Sequence, residues 1–290
     1  MPTPVYYANC PDYTPEHLQS ALGGILPGQI DAFGGVSHKR IMLKPNLLAW
    51  RRADDIACVH PKLIVETARF FLDAGAKEVA LLENPAVQTA PAIIRAMGID
   101  EELKKLGVHV ANFSDYKRLP LPPEVKFHNI ELAAEFLEYD AVADIAKAKT
   151  HAMMILTLCV KNLFGLVKGC DRMGWHLAVG RDFAKFADML LDIHLSVRPR
   201  FNILDAVTCM EGNGPGSGTP VHRGFLAGSS DSLALDASAA AIFGVPNLLL
   251  LRNAKERKLD FAYENRGDVP PVNPLKRPDP PGVLTEWGVF

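Results

Sequence analysis

The sequence predicts an α/β fold in which a mostly parallel sheet carries helices on both faces. Short apolar segments alternate with amphipathic segments along the chain, and this alternation is typical of strand–helix–strand units. Polar residues also follow directly after several of the apolar segments. In an open parallel sheet such residues meet in a cleft at the C-terminal ends of the strands, where ligands usually bind.

Five segments have the composition of β-strands. They are short, apolar or β-branched, and polar at their ends, and they span residues 5–8, 40–43, 78–82, 141–145 and 201–204. Runs of this length and composition favour strands.

Three segments have helical periodicity. A helix is predicted over residues 60–73, because Pro61 suits a first turn, apolar residues recur at helical spacing and Gly75 follows. Residues 182–194 and 233–243 are predicted to form further helices.

Residues 1–266 are predicted to form the α/β body, as one unit or as two lobes. Residues 267–290 differ, because six of these 24 residues are proline and little in them is periodic. This composition favours an extended Pro-rich C-terminal tail or linker. Such a tail is expected to wrap the body, to contact a partner or to lead into a further domain.

The composition limits which partners and which cellular compartment can be expected. The formal net charge is −2, so no global positive field predicts binding to nucleic acid. The five cysteines are odd in number and lack C-x-x-C spacing, which favours reduced thiols and argues against an iron–sulfur cluster within these 290 residues. No signal peptide is recognisable, and the apolar run over 152–167 contains Lys161 and is too short to cross a membrane. We therefore expect a cytoplasmic protein.

Polar side chains follow four of the predicted strands. They are Lys44 and Asn46 after the second strand, Glu83 after the third, Lys149 and His151 after the fourth, and Asp205 after the fifth. Their coincidence predicts a binding site at this edge of the sheet. The alternative is that these residues are polar only because loops generally are.

The segment over residues 211–220 is rich in glycine and contains Gly212, Gly214 and Gly216. Glycine permits close approach of a ligand to the backbone, so successive N–H groups are predicted to cradle a phosphate or a carboxylate. The spacing matches neither nucleotide-binding fingerprint. A mobile lid or an ordinary long turn are the alternatives.

Residues 153–167 are interpreted as a buried helix that carries Lys161 and Asn162 between two apolar runs. A lysine in such a place is costly unless it is paired or faces a ligand. Lys161 is therefore predicted to balance an anion, with Lys44 and Lys149 assisting. The alternative is that its ammonium group reaches solvent.

His151 and His176 are the candidates for acid–base catalysis or metal binding, although a lone histidine is more often structural. Their spacing matches no metal-binding motif, so the sequence predicts no particular metal. Asp236 lies in an apolar helical segment and, like Asp205, is a candidate partner for one of the lysines. His60 is predicted to begin a helix.

Four segments together resemble the family known as domain of unknown function 362. They span residues 41–48, 59–84, 146–169 and 203–237, and they carry K-P-N, K-T-H, K-N-L-F-G and D-x-x-x-x-M-x-G-x-G-P in this order. The motif positions of the family fall here on Lys44, Asn46, Lys149, His151, Lys161, Asn162, His176, Asp205, Gly214, Pro215 and Asp236.

The resemblance implies redox chemistry, because many relatives carry a ferredoxin-type iron–sulfur domain. This chain lacks the cysteine motif of that domain, so a ferredoxin-type electron-transfer partner would take its place. We expect a redox-associated enzyme domain with a cationic pocket for a small anionic substrate or cofactor. The alternatives are a non-catalytic accessory or scaffold module of an iron–sulfur redox complex, and a metal-binding protein without catalytic activity.

Overall fold

The structure is a computed structural model that describes residues 1–50, 55–118, 122, 124–169, 171–172, 174–175 and 182–279. His176, one of the predicted catalytic residues, lies outside the described residues, as do residues 280–290 of the predicted tail.

The strands and helices alternate along most of the chain. The strands are β1 (Thr3–Asn9), β2 (Arg40–Pro45), β3 (Glu78–Leu82), β4 (His109–Ala111), β5 (Tyr116–Arg118), β6 (Glu131–Ala133), β7 (Ala141–His151), β8 (Ile155–Thr157), β9 (Phe201–Glu211), β10 (Thr219–Ser229) and β11 (Tyr263–Gly267). The α-helices are α1 (Pro15–Ile25), α2 (Pro27–Phe33), α3 (Pro61–Asp73), α4 (Ala90–Ala96), α5 (Asp100–Lys105), α6 (Cys159–Asn162), α7 (Phe183–Val197), α8 (Ser232–Ile242) and α9 (Leu249–Glu256). Two 3-10 helices span Glu135–Glu138 and Leu163–Leu166.

The main sheet has the order β11-β1-β10-β9-β7-β2-β3-β4, with β8 paired to β7. Its centre is parallel, because β9, β7, β2, β3 and β4 all run in one direction. Strand β10 is antiparallel to both β9 and β1, and β5 and β6 form a small separate sheet. The predicted α/β class with a mostly parallel sheet is therefore confirmed.

Each face of the sheet is covered by its own apolar core. Alternate residues of β7 point to opposite sides, as the two-residue period of a strand requires. Ala143 and Ile145 pack with α1 and α3, whereas Val142 and Ala146 pack with α7 and α8. Helices thus lie on both faces, as the sequence predicts.

All five predicted strands are present, and two of them extend well beyond their predicted ends. Strand β7 continues to His151 and β9 continues to Glu211, so Lys147, Lys149 and Asp205 lie within strands. The two strands pair in register as far as Lys147 opposite Asp205, and a register shift then brings Lys149 opposite Met210. The strands continue through these charged residues because the charged side chains are buried and form hydrogen bonds.

The predicted helices over 60–73, 182–194 and 233–243 correspond to α3, α7 and α8. The continuous helix predicted over 153–167 is wrong. Ile155 has a positive φ of 63°, which helical backbone does not permit, and it begins β8. Helix α6 starts only at Cys159, where the carboxylate of Asp236 accepts hydrogen bonds from the Cys159 and Val160 N–H groups.

Residues 268–279 form an extended segment that lies along the body. Leu275 is 4% exposed and packs into the core beside α8. The carbonyl of Lys276 accepts a hydrogen bond from the Gly212 N–H, and the Asp279 N–H donates to Asn213 Oδ1. This part of the tail therefore packs against the glycine-rich segment that follows β9.

Candidate functional site

A buried ion pair forms where β2 and β3 end side by side. Lys44 Nζ lies 2.6 Å from Glu83 Oε2, and both side chains are almost fully buried. The second carboxylate oxygen, Oε1, accepts a hydrogen bond of 2.8 Å from the Asn84 N–H. Parallel pairing of β2 with β3 brings the two residues together, although 39 positions separate them.

Asn162 connects this pair to the neighbouring strand. Its Oδ1 accepts from Lys44 Nζ at 3.3 Å and from Asn46 Nδ2 at 3.0 Å, and its Nδ2 donates to Asp144 Oδ1 at 2.8 Å. Burial raises the pKa of Asp144 to about 7, against the opposing effects of Lys44 and the bond from Asn162. The side chain of Asn162 is thereby held in one orientation.

Lys149 is buried and has two strong acceptors. Its Nζ donates to Asn46 Oδ1 at 2.7 Å and to the Ala57 carbonyl at 2.6 Å. Burial is the main cause that lowers the pKa of Lys149 to about 8; the charges of Lys147 and Lys44 act in the same direction, and Cys58 and Asp55 oppose it. The neutral acceptors satisfy its hydrogen bonds without neutralising its charge.

Lys161 differs from both, because its ammonium group faces aromatic rings. The side chain is half-buried, and Nζ lies 5.9 Å from the ring centroid of Phe164 and 5.8 Å from that of Phe186. Within the described residues it forms no ion pair. Burial, together with the nearby charges of Lys149 and Lys44, lowers the pKa of Lys161 to about 7.

These side chains line a cavity of about 100 Å³ at the carboxyl ends of the parallel strands. Among the described residues, its charged lining consists of Lys44, Lys149, Lys161, Arg172 and Glu83. Asn46 and Asn162 add amide groups, and Thr157, Phe164 and Pro215 complete part of the wall. The structure therefore brings together six predicted site residues: Lys44, Asn46, Glu83, Lys149, Lys161 and Asn162.

Asp205 lies in a different cluster, formed with Lys147 of β7 and Tyr13. Its carboxylate accepts from Lys147 Nζ at 2.9 Å and from the Tyr13 hydroxyl at 2.8 Å. Tyr13 stacks on His60 with ring centroids 3.6 Å apart, and burial lowers the pKa of His60 to about 4. The side chain of His60 also accepts from the Lys62 N–H, so it begins α3 as predicted. None of these residues lines the cavity.

Asp236 and His151 support the backbone around the site and are not part of the cavity wall. Asp236 holds the first turn of α6, as described above, and burial raises its pKa well above the usual value for a carboxyl group. His151 is buried, and its Nδ1 accepts from the N–H groups of Met153 and Met154. Asp236 therefore positions Lys161 and Asn162 through the start of their helix.

The glycine-rich segment contributes a side-chain wall to the cavity through Pro215. The Gly212 N–H donates to the Lys276 carbonyl and the Gly214 N–H donates to the Gly212 carbonyl, so neither faces the cavity as a free donor. A Cβ on Gly214 would lie 2.1 Å from the Thr150 carbonyl oxygen, so this glycine serves close packing on β7. Gly216 does not line the cavity either. The predicted cradle of N–H groups is wrong for Gly212 and Gly214.

Arg172 and Gly165 are among the cavity residues that were not singled out from the sequence. Arg172 lies beyond the apolar run and its side chain reaches back to the Pro85 carbonyl. Gly165 lies directly against the ion pair, because a Cβ there would be 2.5 Å from Glu83 Oε1 and 2.8 Å from Lys44 Nζ. Its place in the K-N-L-F-G motif was the available signal.

The described residues provide no group of three or more His, Cys, Asp or Glu side chains arranged to hold a metal ion. Cys10, Cys58, Cys159 and Cys209 are buried free thiols. In the part of the chain that the structure covers, no helix has both the length and the apolar character needed to span a membrane.

Fold and site together define an α/β protein with a lysine-rich cavity at the ends of parallel strands. The chain belongs to the family described as domain of unknown function (DUF362), whose sequence model matches residues 41–241. It is 32% identical over 212 residues to the thylakoid-associated protein sll1697 of Synechocystis sp., and the match covers 71% of this chain and 65% of that protein. The chain thus spans just under two thirds of that relative. A solved structure of a protein from Thermotoga maritima aligns with 84% of this chain and 58% of its own, at 14% identity and a TM-score of 0.38, too weak a likeness to support inference.

Proposed function

We propose that this protein binds a small anion, a carboxylate or a phosphate, in the lysine-rich cavity. The observation that carries the proposal is the charge of the described cavity wall. Four cationic side chains line it together with one carboxylate, Glu83, and that carboxylate is already paired with Lys44. Buried charges are normally paired, so this excess of positive charge favours a negatively charged ligand.

The size of the cavity suits a small ligand. One ordered water needs roughly 10–15 Å³ of such space, so about 100 Å³ holds several waters or a ligand of a few non-hydrogen atoms. Lysine and arginine donate shorter and stronger hydrogen bonds to carboxylate or phosphate oxygens than neutral groups do. Lys44 and Lys149 are fixed by protein acceptors, whereas Lys161 remains available to a ligand.

The proposal includes a redox-associated enzymatic role with electrons supplied by a ferredoxin-type partner. Its support is the family membership, because many relatives carry a ferredoxin-type domain. The cavity is the place where such chemistry would occur, since it holds a buried cation cluster and a lysine whose pKa is lowered to about 7.

Isothermal titration calorimetry with sodium phosphate and with sodium acetate tests anion binding. Lys161→Met is expected to weaken binding roughly 10–100-fold, the equivalent of a lost charged hydrogen bond of about 1.5–3 kcal/mol. The stability of this variant should be unchanged or improved, because a half-buried cation without an ion-pair partner among the described residues is replaced by an apolar chain of similar length.

Lys168→Met is the matched control. Lys168 is on the same segment, but its side chain is 44% exposed and lies 3.5 Å from Glu131. Binding should be retained in this variant. Failure of the wild-type protein to bind either anion, or equal loss in both variants, would contradict the proposal.

A further inference from the structure

The C-terminal segment is fixed to the body just before it reaches the glycine-rich segment. Leu275 is 4% exposed and packs into the core, and its N–H donates to the Phe243 carbonyl, directly after α8. Pro274 lies against Gly244, where a Cβ would come within 2.9 Å of the proline ring. Residues 276–279, the C-terminal strap, therefore start from a fixed point on the body.

The backbone of the strap is joined at Lys276 to the loop over residues 211–215. The Gly212 N–H donates to the Lys276 carbonyl at 2.8 Å, and the Lys276 N–H donates to Glu211 Oε2 at 3.0 Å. Donor and acceptor of the same peptide group in the strap are thus both used to hold the loop.

A second junction lies at the far end of the strap, between Asn213 and Asp279. Asn213 Nδ2 donates to Asp279 Oδ2, and the Asp279 N–H donates to Asn213 Oδ1, each at 2.9 Å. Both residues are exposed, so they are not needed to fill the core. Their reciprocal bonds fix the loop relative to the strap.

The other side of the loop rests on β7, next to the cavity. The Ala152 N–H donates to the Gly214 carbonyl at 3.3 Å, and a Cβ on Gly214 would lie 2.1 Å from the Thr150 carbonyl oxygen. Pro215 follows Gly214 and lines the cavity, and so does Lys149, which precedes Thr150 in β7. The loop is therefore held between the strap and the strand that carries a cavity lysine.

We propose that the strap is a positioning element of the anion site, because it holds Pro215 in the wall of the cavity. The inference rests on the proposed function and extends the site to residues that do not touch the ligand. Without the strap the loop keeps its contacts with β7 alone, and the wall at Pro215 loosens. A ligand then has to order the loop as it binds, and this loss of entropy lowers the affinity.

The test is calorimetric titration of the full chain with sodium phosphate and with sodium acetate at pH 6. Asn213→Ala removes both bonds to Asp279 without changing the charge, and it should weaken binding by about 3–10-fold. The urea midpoint should stay at the wild-type value, because the site of substitution is exposed. A purely structural role would instead lower the urea midpoint and leave the affinity unchanged.

Asn273→Ala is the matched control. Asn273 is also exposed in the tail, and its backbone N–H donates to the Ile242 carbonyl, a bond that alanine retains. Binding of both salts should be the same as in the wild type.

A reciprocal exchange shows whether the pairing itself matters. Asn213→Asp places a second carboxylate beside Asp279 and should weaken binding at least as much as Asn213→Ala. Adding Asp279→Asn restores an amide opposite a carboxylate and should return the affinity to within about twofold of wild type. Because the carboxylate at position 213 is still present in the exchanged protein, recovery separates the pairing from a change of charge near the cavity.

The possible results distinguish this inference from the proposed function. Wild-type binding that is unchanged in Asn213→Ala, or that is lost equally in Asn273→Ala, would overturn the role of the strap and leave the anion site standing. A loss that the reciprocal exchange does not recover would do the same. Failure of the wild type to bind either salt would overturn the proposed function and this inference with it.

Discussion

Lys44 Nζ and Glu83 Oε2 lie 2.6 Å apart at the ends of two parallel strands, with both side chains almost completely removed from solvent. Loss of one member of a buried ion pair is costly, because the other remains charged and unpaired. Glu83→Gln is therefore expected to lower the free energy of unfolding by roughly 3–5 kcal/mol, measured by urea denaturation.

The double variant Lys44→Met, Glu83→Leu is the matched control for that prediction. It removes both charges and should be clearly more stable than Glu83→Gln alone, because apolar replacement of a whole buried pair is often neutral. If the free energy of unfolding of Glu83→Gln lies within about 0.5 kcal/mol of the wild-type value, Lys44 and Glu83 do not stabilise the fold as an ion pair.

A substitution at Gly165 tests how closely the backbone packs against the same ion pair. A methyl group at this position would overlap Glu83 Oε1 and crowd Lys44 Nζ. Gly165→Ala is expected to cost about 1–3 kcal/mol of stability and to weaken phosphate binding by displacing Lys44.

Gly174→Ala is the control, since a Cβ at that exposed position meets nothing within 4 Å. Urea denaturation of both variants measures their stability, and calorimetry measures their phosphate binding. Equal effects of the two substitutions would show that the contact with Glu83 is unimportant.

Most of the sheet could be predicted from the sequence because apolar runs and helix signals are local. The start of α3 at Pro61 and its end before Gly75 follow from side chains within the segment itself. Four of the six cavity residues found in advance, Lys44, Asn46, Glu83 and Lys149, come at or near strand ends, where strand direction determines which edge they share. Lys161 and Asn162 stood out instead as polar residues between two apolar runs.

The remaining features depend on contacts between distant segments. Helix α6 begins at Cys159 because Asp236, 77 positions further along, accepts its N–H. Asp205 was expected beside the other site residues, but it lies opposite Lys147 and pairs with it, two positions before Lys149 in β7, and it does not line the cavity. No local pattern shows how far a strand continues through charged residues when both of its faces are buried.

Leu275 tests whether the tail is part of the folded body. Its side chain is 4% exposed within the core, whereas Val272, three positions earlier, is 68% exposed. Leu275→Ala should lower the free energy of unfolding by about 2–5 kcal/mol, and Val272→Ala should change it by no more than about 0.5 kcal/mol.

Urea denaturation of the full chain gives both values. The accessory-module alternative needs a tail that is free to hold a partner. A neutral Leu275→Ala variant would favour that alternative, because it would show that residues 268–279 contribute little to the folded state.

Anion affinity should fall as the pH rises, because two lysines of the cavity have lowered pKa values. Burial lowers the pKa of Lys161 to about 7 and that of Lys149 to about 8. Both are charged below pH 7, and they lose their protons as the pH rises through 7 and then 8, so acetate, whose own charge is constant over this range, should bind more tightly at pH 6 than at pH 9. A bound anion favours the ammonium form, so binding at pH 8 should also take up protons, which is measurable as a buffer-dependent heat.

The same two lysines make stability depend on pH. The unfolded state binds more protons than the folded state between about pH 7 and 10, so these groups make the free energy of unfolding rise with pH across that window. The Lys161→Met variant should show a smaller rise, and an acetate affinity that is the same at pH 6 and pH 9 would contradict the assignment of these lysines to the binding site.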